Sequence, residues 1–286
     1  MKPILADLLR LLELERIEDN IFRGPSVDLG GERVFGGQVL SQALTAASYT
    51  AGAREAHSLH AYFLLPGDME APIVYEVDVA RDGRSFSTRR VVAIQHGRPI
   101  FNMAASFQSP EQGLEHSAAM PDVPGPEGLV DTREAIMPED LEKVPEKIRR
   151  FLTRDRPFEI RSVEPVQIVS PPRSEPRRHY WIKTVDRLPD NPDLHRNVLT
   201  YISDFPLVAT ATRPHGIHSY EGKVQLASLD HAMWFHRSFR VDDWLLYAVE
   251  SPSASGGRGF ALGRFFTRDG RLVASTAQEG VVRIWR

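Results

Sequence analysis

The stretch S-L-H-A-Y-F at Ser58–Phe63 returns later in the chain as S-L-D-H-A-M-W-F at Ser228–Phe235. Two more strings repeat in the same order: G-R-S-F at Gly83–Phe86 with G-R-G-F at Gly257–Phe260, and G-R-P-I from Gly97 with G-R-L-V from Gly270. Their offsets are 170, 174 and 173 residues. Kept order at near-constant spacing marks an internal duplication with small insertions. The structure of one half is therefore the expectation for the other.

Outward from these strings, each half places a helical pattern before a set of strand patterns. In the first, Gly30-Gly31 and Gly36-Gly37 lead into Val39, Leu40, Ala43, Leu44, Ala46 and Ala47 at helical spacing. Small apolar residues nearly all round such a helix point to burial. Strand patterns follow at Leu59–Leu65, Ile73–Val79, Phe86–Ile94 and Ile100–Phe107, with Ile73, Tyr75, Val77 and Val79 in strict alternation. Pro66-Gly67, Asp82-Gly83 and His96-Gly97 between them have hairpin chemistry, which makes antiparallel sheets. In the second half a helix is expected from an Asp193 N-cap through Val198, Leu199 and Ile202 to about Thr212, bent at Pro206. Strands are expected at Glu159–Val163, Tyr180–Val185, Val224–Trp234, Trp244–Val249, Gly259–Phe266 and Leu272–Ile284. Between the halves the composition turns proline-rich and acidic, with one short helix expected near Pro138–Leu152. The expected organisation is an N-terminal unit 1–109, a connector 110–158 and a C-terminal unit 159–286. A curved antiparallel sheet around one helix leaves edges to be covered, so the two units should form one pseudo-twofold α+β domain.

The remaining composition narrows function by exclusion. With 26% charged residues, 42% hydrophobic ones and a formal net charge of −3, the chain has the profile of an ordinary soluble protein. It lacks the basic footprint of a nucleic-acid binder. No cysteine is present, which removes disulfides, thiolate metal sites and a cysteine nucleophile. The segment Ile4–Ile21 has leucines at helical spacing, but Asp7, Arg10, Glu13, Glu15 and Arg16 interrupt it. It reads as a docking helix rather than a membrane span or leader, and the expected location is cytoplasmic. His215, His218, His231 and His236 lack the spacing of a helical metal motif, so neither metal nor cofactor is expected.

Three polar residues stand where apolar ones would normally go: Asp204 in the second helical stretch, Ser228 and Gln278 in strand patterns. Residue by residue each has a bland explanation as a solvated or edge group. His231, between Asp230 and Trp234, reads as a packed sheet residue. Strand alternation forbids Asp230 and His231 from facing one site but would allow Ser228 and Asp230 to do so. The duplication sets Thr45 opposite Asp204, Ser58 opposite Ser228 and Ala105 opposite Gln278, so one working site per chain is expected. Free backbone N–H groups and the helix dipole at Gly36, Gly37 and Gln38 make the start of the first helix the candidate oxyanion hole.

The strings F-G-G-Q-V-L at Phe35, D-G-R-S-F-S-T-R-R-V at Asp82, F-N-M-A-A-S-F-Q at Phe101, S-L-D-H-A-M-W-F-H-R at Ser228 and A-Q-E-G at Ala277 together resemble the bacterial acyl-CoA thioesterase II family, in that family's order and across nearly the whole chain. The resemblance implies a double hot-dog fold, two antiparallel sheets each wrapping a central helix. It implies hydrolysis of acyl-CoA to free acid and coenzyme A, with water held and activated by Asp204, Ser228 and Gln278. It also implies self-association, to dimers or tetramers. Two alternatives stand beside it: a hot-dog hydratase or dehydratase acting on acyl thioesters, and an acyl-CoA-binding module without chemistry.

Overall fold

A computed structural model of the chain describes residues 1–29, 33–205, 207–217 and 224–284. The expectations made for Gly30, Gly31, Pro206 and His218 lie outside the described residues. The first half runs through α1 (Pro3–Leu12), β1 (Glu15–Glu18), β2 (Ile21–Gly24), α2 (Gly36–Tyr49), β3 (Glu55–Phe63), β4 (Ile73–Asp82), β5 (Phe86–Gln95) and β6 (Arg98–Gln108). The connector carries α3 (Pro138–Leu141) and α4 (Glu146–Thr153). The second half runs through β7 (Phe158–Ser162), β8 (Arg177–Thr184), α5 (Pro192–Ser203), a 3₁₀ segment Val208–His215, β9 (Val224–Ser228), β10 (Asp230–Phe235), β11 (Leu245–Ser255), β12 (Arg258–Thr267) and β13 (Leu272–Ile284).

The two antiparallel sheets are joined edge to edge. Strand order is β1-β2-β4-β5-β6-β3 in one half and β10-β13-β12-β11-β8-β7 in the other, with β9 also on β13. The seam is the antiparallel pair β3·β10, made by the duplicated strings themselves. In it Ala61 is the Cα partner of His231, Leu59 of Met233 and Tyr62 of Asp230. Matching the ladders of the two halves sets Leu59 equivalent to His231 and Ala61 to Met233, so the local twofold axis passes through the pair His60·Ala232, and the inner edge of each sheet is closed by the other.

Inside this sheet lie α2 and α5. From Gly37 to Ala47 every residue of α2 is buried, as its small-residue pattern requires. The two helices run antiparallel in close contact, with Ser41 Oγ donating to Asn197 O at 2.7 Å. A Cβ on Gly37 would collide with the Tyr201 carbonyl oxygen, so glycine permits the approach.

Several boundaries differ from the sequence-based expectations, each for a local reason. The N-terminal helix stops at Leu12, and Ile17 belongs to an exposed strand, β1. The inward alternation of β4 ends at Val77, while Val79 is exposed because the register shifts between Asp78 and Arg81. Pro66-Gly67 is not a hairpin: β3 lies between β6 and β10, so the chain crosses over to reach β4. His96-Gly97, with φ of 49° and 70°, does form a tight hairpin of two left-handed residues, as does Gly256-Gly257, with φ of 56° and 74°. The connector helix is split in two around Pro145. The second central helix ends at Ser203 rather than near Thr212, and its N-cap is Asn191 rather than Asp193. Among the described residues no helix is long and apolar enough to cross a membrane.

Asn191 Oδ1 accepts from the N–H groups of Asp193 and Leu194 at 3.0 and 3.3 Å. Losing such a cap costs about 1 kcal/mol. Asn191→Ala is expected to lower unfolding stability by about that much in a denaturant titration, with turnover unchanged, because the cap lies at the end of α5 away from Asp204.

Candidate active site

Asp204 is the C-cap of α5, with φ −77° and ψ −11°. It sits at the end of the helix rather than within it, and this end abuts the start of α2. A Cβ on Gly36 would lie 2.7 Å from Asp204 Oδ2. The Gly37 N–H donates to the same carboxylate. Phe35, the N-cap of α2, offers no side-chain acceptor, so the Asp204 carboxylate takes the place of the usual capping group.

The strands bring the other two residues to it. Ser228, at the end of β9, is the Cα partner of Gly280 on β13, and Gln278 lies two residues before Gly280. Gln278 Nε2 donates to Asp204 Oδ1 at 2.6 Å, and Ser228 Oγ donates to the same oxygen at 3.3 Å. Residues 24 and 74 positions apart from Asp204 thus converge on one carboxylate. Gln278 Oε1 is buried with no hydrogen-bond partner among the described residues.

Two opposing effects set the acidity of Asp204. Burial raises its pKa from the ordinary carboxylate value to about 6, while the donors Gln278, Ser228 and Gly37 pull it down. Desolvation wins because three hydrogen bonds do not replace full hydration of a charge.

Of the oxyanion candidates, Gln38 donates its N–H to Phe35 O at 3.0 Å and Gly37 serves Asp204. For the Gly36 amide no partner is found among the described residues. A cavity of about 390 Å³ opens over this corner, lined by Phe35, Val39, Phe63, Ile100, Phe101 and Leu226, with Asp204 and Ser228 in its wall. Such a cavity accommodates an apolar chain leading to a polar reacting centre.

Ser228 and Asp230 do not share a face. The strand breaks at Leu229 between β9 and β10, so Asp230 turns away and accepts from the Glu279 N–H at 2.7 Å. His231 turns inward instead and is fully buried. Its ring touches Gln278, at 3.1 Å from Nδ1 to Nε2. Simple alternation missed this contact because the irregularity at Leu229 shifts the inward set by one residue.

The pseudo-twofold counterpart of the site is built differently. Aligned on their N-caps, Phe35 with Asn191, the helices place Ser48 rather than Thr45 opposite Asp204. The earlier alignment slips by nearly one turn because an apolar helix pattern repeats every three to four residues. Ser48 and Thr45 both bond to carbonyls of their own helix. A cavity of about 840 Å³ lies at the start of α5, where Arg187 pairs with Asp243 and Arg240 with Asp190 and Asp242. None of Asp204, Ser228 and Gln278 lines it.

Two antiparallel sheets, each wrapped around a central helix, with an acid and a hydroxyl in the wall of an apolar cavity and a buried amide bonded to the acid, define a double hot-dog protein of the thioester-hydrolase class. Residues 149–281 match the acyl-CoA thioesterase family, and residues 25–108 match the acyl-CoA thioesterase N-terminal domain. The chain is 43% identical over 284 residues to acyl-CoA thioesterase 2 of Haemophilus influenzae, covering 99% of both. It is 39% identical to human acyl-coenzyme A thioesterase 8, covering 96% of this chain and 88% of that one. Among solved structures it resembles acyl-CoA thioesterase II TesB2 from Mycobacterium marinum, with a TM-score of 0.78 at 40% identity over 96% of this chain and 98% of that one. The tesB protein of Mycobacterium avium subspecies paratuberculosis gives 0.80 at 33%, over 98% and 99%. The chain belongs to the acyl-CoA thioesterase family.

If Asp204 acts as a base, only its ionised form works, and a pKa of about 6 makes the turnover rate fall as pH drops through that value. A pH–rate profile measured between pH 5 and 8 checks this, with the acid limb expected near 6. Stability runs the other way. A folded-state pKa above the unfolded one means that this group contributes most below about pH 4 and that its contribution is lost as pH rises through about 6. Asp204→Asn, which carries no charge to bury, is expected to unfold at a temperature no lower than wild type at pH 8. Its turnover should fall on the order of 10²- to 10⁴-fold.

Proposed function

We propose that the protein hydrolyses acyl-CoA thioesters through a water molecule oriented and deprotonated by Asp204, Ser228 and Gln278. The observation that carries this reading is a single carboxylate oxygen shared by an amide donor at 2.6 Å and a hydroxyl donor at 3.3 Å, at the wall of an apolar cavity. Both side-chain donors use Oδ1, which holds the carboxylate in one orientation. Asp204 takes a proton from water as the water oxygen attacks the thioester carbon. Gln278 Oε1 accepts from the same water, since an amide can accept and donate at once without changing protonation. The Gly36 N–H, uncommitted at a helix start, is the donor assigned to the oxyanion. Collapse of the tetrahedral intermediate expels the coenzyme A thiolate, which takes up the proton held by Asp204. Atoms balance as thioester plus water giving carboxylic acid plus thiol.

A hydratase would want a histidine base near the substrate. His231 is occupied by Gln278 and Ser203, and burial holds its pKa at about 3. It is therefore too weak a base to remove a carbon-bound proton.

Incubation with acyl-CoA of several chain lengths separates the readings. Free thiol is expected to accumulate with at least one chain length. An absorbance change without thiol would indicate hydration, and binding alone would yield neither. If Ser228 positions water, Ser228→Thr keeps substantial activity and Ser228→Ala loses on the order of 10- to 1000-fold. Rapid-quench intact mass should show no acyl adduct. A kinetically competent adduct on Ser228 would replace the water mechanism with covalent catalysis.

A further inference from the structure

The hydrogen bonds behind Gln278 run in one direction only. Gln278 Nε2 has two hydrogens: one goes to Asp204 Oδ1 at 2.6 Å, the other to His231 Nδ1 at 3.1 Å. His231 Nδ1 must therefore accept, which places the ring proton on Nε2. That nitrogen lies 3.0 Å from Ser203 Oγ, and the Ser203 hydroxyl in turn donates to Thr200 O at 2.8 Å. Tyr247 OH donates to Ser203 O at 2.9 Å and anchors the end of the chain. His231 and Ser203 are fully buried and Gln278 nearly so.

We propose that His231 is a positioning residue for the thioesterase reaction, locking the Gln278 amide so that its nitrogen faces Asp204 and its oxygen is free to accept from water. The inference rests on the assignment of Asp204, Ser228 and Gln278 as the water-holding set. An amide has two orientations related by a flip of its end group. With the flipped amide, Oε1 would meet the Asp204 carboxylate oxygen and Nε2 would point where the acceptor is needed. Asp204 alone enforces the choice only while it is ionised. His231 enforces it in both protonation states, because an Nδ1 acceptor rejects Oε1. Burial holds the imidazole pKa at about 3, so it stays neutral over the working range. The surrounding titratable groups leave this unchanged. Tyr247 on β11 and Tyr201 on α5 have phenols raised by burial and remain neutral. Glu279 beside Gln278 is paired with Arg258, and Asp230 beside His231 is turned to the Glu279 N–H.

This is support of a reacting group by the residues behind it, where a small loss of geometry lowers rate more than binding. The test is a double-mutant cycle between His231 and Gln278. His231→Phe keeps the ring but removes the acceptor. It is expected to lower kcat on the order of 10- to 100-fold with KM within about twofold. The acid limb of the pH–rate profile should move to higher pH, because Asp204 loses the Gln278 bond that lowers its pKa. His231→Asn places Oδ1 near the position of Nδ1 and should restore most of kcat and the wild-type limb. In a Gln278→Ala background His231→Phe should cost nothing further.

Equal losses from His231→Phe in both backgrounds, or an unmoved acid limb, would show that His231 only fills space, and the proposal fails. If His231→Phe does not fold, Ser203→Ala replaces it in the same cycle, since it removes the acceptor that orients the ring. It should give a smaller loss of the same kind, again absent in the Gln278→Ala background. Full additivity overturns the proposal there too. Should Gln278→Ala itself leave kcat unchanged, the water-holding assignment fails. A Gln278→Ala loss without a His231→Phe loss defeats this inference alone.

Discussion

Everything at the site depends on the end of one central helix being pressed against the start of the other. α5 ends at Ser203 and α2 begins at Gly36, and the two meet because Gly36 and Gly37 have no Cβ to hold them apart. A helix start presents unpaired N–H groups and positive dipole charge. Asp204, delivered by the partner helix, is the anion that meets them. A side chain at position 37 would move the two helices apart, and the contact of Asp204 with its donors would go with it. The carboxylate is thus held from one side by the backbone of the helix start and from the other by Ser228 and Gln278, which β9 and β13 bring to its Oδ1.

Duplication supplies the frame, and asymmetry within it supplies the site. The twofold axis passes through the seam pair His60·Ala232, so both halves present a helix start to a helix end. At α2 the N-cap Phe35 has no side chain that can accept. At α5 the N-cap Asn191 turns its own oxygen onto the first free N–H groups. One helix start is therefore open to an external anion and the other closed by its own cap. At the closed end, Arg196 pairs with Glu55 and Asp193, and Arg240 beside it pairs with Asp190 and Asp242. The same fold geometry holds the Asp204 carboxylate at one helix start and satisfies itself at the other. His231 shows the same asymmetry beside the axis: its counterpart is Leu59, whose side chain has no hydrogen-bonding atom.

Much of this was legible in the sequence because repetition and turn chemistry are local signals. The strings that repeat at Ser58 and Ser228 become the two strands of the seam, and His96-Gly97 reads correctly as a hairpin. Signals that depend on tertiary context were not legible. Pro66-Gly67 has hairpin composition, but whether the next strand pairs or crosses over is decided by β10 taking the free edge of β3. Asp204 looked like an interior helix residue because the apolar pattern continues through Leu207 into the 3₁₀ segment. Period alone cannot distinguish a helix that ends from one that tightens. Gln278 and Ser228 were found through family strings, since a polar residue in a strand has many ordinary uses. His231 was read as a packed sheet residue, which it is; its contact with Gln278 required the break at Leu229, and no alternation rule anticipates a break.

The acidity of Asp204 follows from what the same corner must do in two protonation states. A fully hydrated carboxylate would be a weak base at neutral pH, and a fully desolvated one would stay protonated and take no proton. Burial alone pushes Asp204 toward the second limit. Each donor pushes it back: Gln278 and Ser228 through Oδ1, Gly37 from the helix start. The balance at about 6 leaves Asp204 ionised at neutral pH yet more basic than an exposed aspartate. Removing one donor would raise the basicity of Asp204 and at the same time free its carboxylate to turn. Gln278 is itself buried against a neutral imidazole, a contact that places no second charge beside the carboxylate.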